Sequence, residues 1–159
     1  MPADSPPLLD IRAFLEAQRR ERFRAFILHG PPLCGKSRFA RKLAQSAGGA
    51  YVDVLAHVAG SPELSDKVDV LDVPFLKRLA VDAAAGDSAP LVVVDEWDFL
   101  LPVWADLAPL VEMVRRLSQT ETAAVPCFVL QSQPLLDGLS LPNTRGQNRV
   151  LRLEEIQRL

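Results

Sequence analysis

The chain has almost no surplus charge of either sign: 18 Lys and Arg against 20 Asp and Glu leave a formal net charge of −2. Such a balance excludes a basic wrapper for nucleic acid and leaves room only for a local basic patch. Two cysteines, Cys34 and Cys127, stand far apart and build no disulfide framework, the usage expected of a reducing compartment. The two histidines, His29 and His57, are isolated, so no metal-ligand spacing exists. No apolar run approaches the roughly 18–20 residues of a membrane span. The opening MPADSPPLLD is acidic and proline-bearing, unlike a secretory leader. There is no G-x-S-x-G hydrolase elbow and no repeat of roughly 20–50 residues. The expectation is a cytoplasmic protein with no membrane association. What is present is ordinary globular material, 48% hydrophobic and 24% charged over 159 residues, enough for one domain and not two.

Prolines and glycines punctuate the rest. Residues 1–7 read as a disordered lead-in and 8–159 as a single domain. Leu8, Leu9, Ile11, Phe14 and Leu15 recur at helical spacing, predicting an amphipathic helix to about Arg20. Phe26-Ile27-Leu28 reads as a buried strand running into a Gly-Pro loop. Ser37 to Ala47 carries Phe39, Ala40, Leu43 and Ala44 on one face and is stopped by Gly48-Gly49. Tyr51 to Leu55 is a second strand, and residues 59–73 show no clear element. A helix follows from Phe75 to Ala85, ended by Gly86. Leu91 to Val94 is an unbroken apolar run, hence a central strand. Leu107, Leu110, Val111, Val114 and Leu117 form another helical stripe. Cys127–Leu130 and Val150–Leu153 complete five strands. Strands alternating with helices predict an α/β fold with a parallel five-stranded sheet and helices on both faces.

The strongest motif is Gly30-Pro31-Pro32-Leu33-Cys34-Gly35-Lys36-Ser37, which fits G-x-x-x-x-G-K-[ST], the P-loop or Walker A pattern. It lies between an apolar strand and a helix start, as its mechanism requires. Glycines let the backbone curl so that N–H groups face phosphate oxygens, and the helix N-terminus favours the anion. Lys36 would reach the β- and γ-phosphates of ATP, Ser37 would bind Mg²⁺, and Arg38 closes the binding segment. The competing reading, a chance match in a turn, is opposed by the flanking strand and helix. Directly after Leu91–Val94 come Asp95 and Glu96, the Walker B pattern: Asp95 would hold Mg²⁺ opposite Ser37, and Glu96 would polarise an attacking water. Asp98 reads as a helix cap or surface acid.

Weaker signals surround these two. Gln131, Ser132 and Gln133 follow a strand, where they serve either beside the γ-phosphate or simply as a polar loop. Arg145 and Arg149 precede the last strand; each is either an arginine finger for a neighbour's nucleotide or a solvated charge. Arg19, Arg20, Arg22 and Arg24 form a basic cluster that reads more readily as a solvated helix end than as a nucleic-acid contact. His29 reads as a strand-end residue touching the loop, and Cys127 as core.

These motifs occur in the order seen in AAA+ ATPases: Walker A, Walker B with an Asp-Glu pair, a polar sensor-one residue, then an arginine finger before the fifth strand. The resemblance covers roughly residues 20–155. Within that superfamily the short length and the run Val93-Val94-Asp95-Glu96-Trp97-Asp98 resemble the BrxF family, small P-loop proteins of bacterial BREX phage-exclusion systems. The resemblance implies ATP and Mg²⁺ as cofactors, Gln131 as sensor one, Arg145 or Arg149 acting in trans, ring-like homo-oligomers, and other defence components as partners. Two departures stand out. Leu33 occupies a slot where many AAA+ loops have glycine. After the fifth strand no helical lid follows, which implies an open adenine side. The leading expectation is an ATPase that drives assembly or remodelling of a larger complex. The alternatives are a small-molecule kinase and a nucleotide-dependent scaffold that hydrolyses negligibly. No N/T-K-x-D guanine-reading motif appears.

Overall fold

The structure, a computed structural model, describes residues 5–104 and 109–159. Leu107 of the expected stripe and residues 1–4 of the expected lead-in lie outside the described residues. The first helix, α1, spans Ile11–Gln18, three residues later than its apolar spacing begins, because the Asp10 carboxylate caps the N–H groups of Arg12 and Ala13. Leu9 instead forms a parallel bridge to Ile156 near the other end of the chain. Strand β1, Phe26–Gly30, runs through His29 and Gly30 and leads into α2, Lys36–Ser46. Strand β2, Ala50–Asp53, stops two residues early: Asp53 caps the N–H of Ala56 and turns Val54 and Leu55 into helix α3, Val54–Ala59.

The stretch without a clear element holds the short helix α4, Pro62–Ser65, capped by Ser61, and a 3₁₀ turn at Val68–Val70. Helix α5, Val73–Asp87, is capped by Asp72 and runs through Gly86 to Ser88, which turns left-handed at φ 49°. Strand β3 follows at Leu91–Asp95, then α6 at Leu101–Trp104 and α7 at Leu110–Ser118. Strand β4, Val125–Gln131, a turn of helix α8 at Pro134–Asp137, and β5, Val150–Arg152, complete the order.

The strands form one sheet ordered β2-β3-β4-β1-β5, and every pairing is parallel. Alternate residues point to opposite faces. Phe26, Leu28, Leu91, Val93, Cys127 and Val129 meet Ile11 and Phe14 of α1 and Ala40 and Leu43 of α2. Ile27, Val92, Val94, Phe128 and Leu130 meet Leu76 and Ala80 of α5 and Val114 and Leu117 of α7. Each fully buried large side chain contributes ~1.5–3 kcal/mol, so both faces are covered for the same reason that the strands read as apolar runs.

This topology sorts the polar residues by edge. Gly30, Asp53, Asp95 and Gln131 are the last residues of their strands and share the sheet's C-terminal edge. β4 lies between β1 and β3, with Gln131 paired to Gly30. Arg145 and Arg149 precede β5 and belong to the opposite edge. Val150 is in register with Ile27, so roughly 13 Å of strand separates Arg149 from Gly30.

Candidate functional site

The segment from Gly30 to Ser37 wraps from the tip of β1 to the start of α2. Gly35 is its N-cap residue at φ 87°, left-handed backbone that a side chain would strain. No side chain caps α2, so its first amides have no intrahelical acceptor and remain available to an anion. Leu33 adopts φ 60° and is fully exposed, an arrangement that costs about 1–2 kcal/mol for an L-residue with a side chain. A Cβ on Gly30 would stand 2.6 Å from the Cys34 sulfur, so the loop's first glycine is packed against its own middle. Pro31, Pro32, Cys34 and Arg38 are exposed, while Lys36 and Ser37 are half-buried at the helix start.

Two acids from the tip of β3 face this loop differently. The Ser37 hydroxyl donates to Glu96 Oε1 at 3.2 Å. Glu96 itself is left-handed at φ 58°, so two of the three non-glycine residues at positive φ among the described residues, Leu33 and Glu96, belong to this site. Asp95 is buried. Its Oδ1 accepts from the Glu96 N–H at 2.7 Å and its Oδ2 from the Tyr51 hydroxyl at 2.7 Å. The expected face-to-face placement of Asp95 and Ser37 is therefore not the contact present: Ser37 meets Glu96, and Asp95 sits one layer deeper, held by Tyr51. Burial and the Asp95 bond push the Tyr51 phenol well above its ordinary range, so it stays a hydrogen-bond donor.

The reading of Asp98 as a helix cap or surface acid is corrected. It begins a 3₁₀ turn, is half-buried, and accepts from the Gln131 N–H at 2.8 Å, strapping the tip of β3 to the tip of β4. Burial raises its carboxyl, and the nearby Lys36 ammonium opposes that rise. Gln131 is thereby brought beside Gly30. Ser132 is engaged elsewhere, with its hydroxyl 2.9 Å from His29 Nδ1 and its N–H on the Gly30 carbonyl. His29 is buried inside β1. Burial and then Arg152 push its imidazole down from the ordinary value, which keeps the ring neutral.

The two late arginines part company. Arg149 is buried, and its guanidinium donates to the carbonyls of Phe23, Ala25, Ser118 and Leu141. It clasps the segment leading into β1, the end of α7 and the loop before β5, a placement that corrects both of its readings, as a finger reaching out of the molecule and as a solvated charge. Arg145 is exposed in a turn where its N–H is bonded to the Asn143 side chain. The basic cluster is dispersed as well: Arg19 pairs with Glu16 at 3.2 Å, Arg22 with Glu121 at 3.4 Å, and Arg24 donates to the carbonyls of Glu21 and Ala123.

Beside the outer face of the loop lies a groove of about 700 Å³. Phe39, Leu153 and Ile156 supply apolar wall, Arg38 and Lys42 cationic rim, and Leu8 with residues 157–159 the far side. The segment after β5 walls one side of this groove, and Leu9 ties it down through backbone bonds with Glu155 and Gln157.

Tyr51 is the site residue that the sequence pattern missed. Asp53 pairs with Asp95 in the ladder, so Tyr51 stands diagonal to Asp95 on the same face, within reach of an aromatic side chain. Among the described residues no group of three or more His, Cys, Asp or Glu side chains is arranged to hold a metal. A serine hydroxyl and carboxylates are nonetheless hard oxygen donors, which suit Mg²⁺ when phosphate oxygens complete its shell. No helix among the described residues is long and apolar enough to cross a membrane. No protein-family model and no curated protein sequence matches the chain.

Proposed function

We propose that this chain binds Mg²⁺·ATP on the Gly30–Ser37 loop and hydrolyses it, acting by nucleotide-dependent assembly within a larger complex. The observation that carries the reading is the meeting of that loop with the β3 acids: Ser37 Oγ lies 3.2 Å from Glu96 Oε1 at the C-terminal edge of a parallel sheet. Lys36 and the amides opening α2 bind the phosphates. The Ser37 hydroxyl donates a hydrogen bond to Glu96, which leaves its oxygen lone pairs free, so Ser37 and Asp95 would hold the Mg²⁺, which would supply charge neutralisation to the phosphates. Glu96 takes the proton of the attacking water, and Gln131 offers an amide beside Gly30. The groove lined by Phe39, Leu153 and Ile156 receives the base. The likeness to BREX P-loop proteins adds antiviral defence as the setting and other defence components as partners.

A titration with a fluorescent ATP analogue tests the reading. Lys36→Ala is expected to weaken binding about 10-fold or more, the scale of losing one charge-assisted contact of ~1.5–3 kcal/mol. Glu96→Gln is expected to keep binding and lose hydrolysis, because the amide keeps the shape and removes the base. Equal affinity of the parent and Lys36→Ala proteins would sink the phosphate-loop reading. One observation favours the scaffold as second reading: Arg149 is consumed by the fold and Arg145 lies toward the opposite sheet edge, so a single copy brings neither arginine to its own loop.

A further inference from the structure

Tyr51 is the only tyrosine in the sequence, and nothing in the phosphate-loop or acid-pair patterns calls for it. Its hydroxyl nevertheless makes one of the shortest side-chain contacts at the site, 2.7 Å to Asp95 Oδ2. The other carboxylate oxygen is taken by the N–H of Glu96 at 2.7 Å. A carboxylate offers about four lone-pair sites, so two are used in fixing Asp95 and the rest stay open. The Glu96 N–H lies on the residue next in chain and turns with it. The Tyr51 bond comes from another strand and is the one that ties the carboxylate to the sheet.

The phenol is fixed in turn. The Arg41 guanidinium stands 5.0 Å from the Tyr51 ring centroid. A cation over the ring is attracted to its face and steadies its orientation. Arg41 lies four residues after Ser37, hence on the same face of α2. One helix face thus supplies both the hydroxyl expected to bind metal and the cation that steadies the group holding the metal acid.

We propose that Tyr51 is a positioning residue for divalent-metal binding: its hydroxyl sets the orientation of the Asp95 carboxylate, and Arg41 sets the orientation of Tyr51. The inference rests on the nucleotide reading above and goes beyond it by adding a group outside both motifs. Partners that orient a metal ligand from behind typically change metal affinity 10–100-fold when removed. A dependence of this kind appears in the metal titration and spares the metal-free contacts of Lys36 and the loop amides.

The experiment measures affinity for a fluorescent ATP analogue as a function of Mg²⁺ in the parent, Tyr51→Phe, Asp95→Asn and double-variant proteins. In Tyr51→Phe, the Mg²⁺ concentration for half-maximal enhancement should rise about 10-fold, while affinity measured in EDTA stays at the parent value. Adding Tyr51→Phe to Asp95→Asn should change nothing further, since Tyr51 acts through Asp95. An unchanged Mg²⁺ midpoint in Tyr51→Phe, or an additive loss in the double variant, overturns the role. A parent protein whose nucleotide affinity ignores Mg²⁺ overturns the role as well, and one that binds no nucleotide overturns the reading beneath it. A measurement on the unaltered protein guards against a folding defect. With ¹³Cζ-labelled tyrosine the single resonance should move when Mg²⁺ is added to the nucleotide complex, and a stationary resonance is equally fatal.

Discussion

Arg149 shows how little a residue's type says about its task. Its position before the last strand suits a charge offered to a neighbour, yet its guanidinium is spent on carbonyls from the segment before β1, from α7 and from the preceding loop. Those acceptors come from segments far apart in sequence, so no local pattern announced them. Arg149→Ala should take from the buried Ala25 and Ser118 carbonyls the guanidinium that serves them and cost about 3 kcal/mol or more, read from urea unfolding, because unsatisfied buried groups cost ~1–3 kcal/mol each. Nucleotide affinity per folded molecule should not change. His29 is a second case, legible as a strand-end residue but not as a buried one. Its folded-state pKa lies below the ordinary 6.5 because of burial and Arg152. The unfolded chain therefore binds more protons than the folded one between that lowered value and 6.5, and stability falls as pH drops through this window. Urea unfolding at pH 7.5 and 5.5 should show a larger loss in the parent than in His29→Asn. Equal losses would mean that His29 titrates alike in both states.

At the scale of elements, strands were read better than helix ends. The apolar runs Phe26–Leu28, Leu91–Val94 and Cys127–Leu130 have one physical explanation, burial on both faces, and each became a strand extended by one to three residues once ladder partners were present, whereas the last strand stops at Arg152, one residue short of its expected end. Helix limits depended on caps that compete with spacing. Asp10 delayed α1, Asp53 cut β2 short, and α5 ignored Gly86. Gly86 is the instructive error, because glycine weakens a helix without being obliged to end it. Its φ is not positive, and a Cβ there would meet nothing within 4 Å. Gly86→Ala should therefore stabilise the protein by about 0.5–1 kcal/mol, measured by urea unfolding. A loss of stability would place the end of α5 before residue 86.

For the whole molecule, the loop, the two acids and the alternation of strands with helices were all legible, because each is a short pattern with one mechanism. The strand order and the partners of Asp95, Ser132 and Arg149 were not, because they come from register between distant segments. The same topology makes the assembly question sharp. Phosphates would lie at the sheet's C-terminal edge, while Arg145 is exposed near the opposite edge, so one copy cannot bring the two together. The turn carrying Arg145 is well anchored for a partner: Thr144 donates through its N–H and hydroxyl to buried Glu21, and Asn143 bonds to Gln18. An arginine delivered in trans is worth ~10³–10⁵ in rate where it is used, and head-to-tail contact between opposite edges generates rings or filaments. Specific ATPase activity is therefore expected to rise steeply with protein concentration or on adding a partner. Arg145→Ala should remove that rise and leave nucleotide binding intact. Mixing Arg145→Ala with Glu96→Gln should restore part of the activity, since each copy keeps what the other lacks. Activity linear in concentration, indifferent to Arg145 and not rescued by mixing, would mean that a single copy completes its own site and that the edge-to-edge assembly does not form.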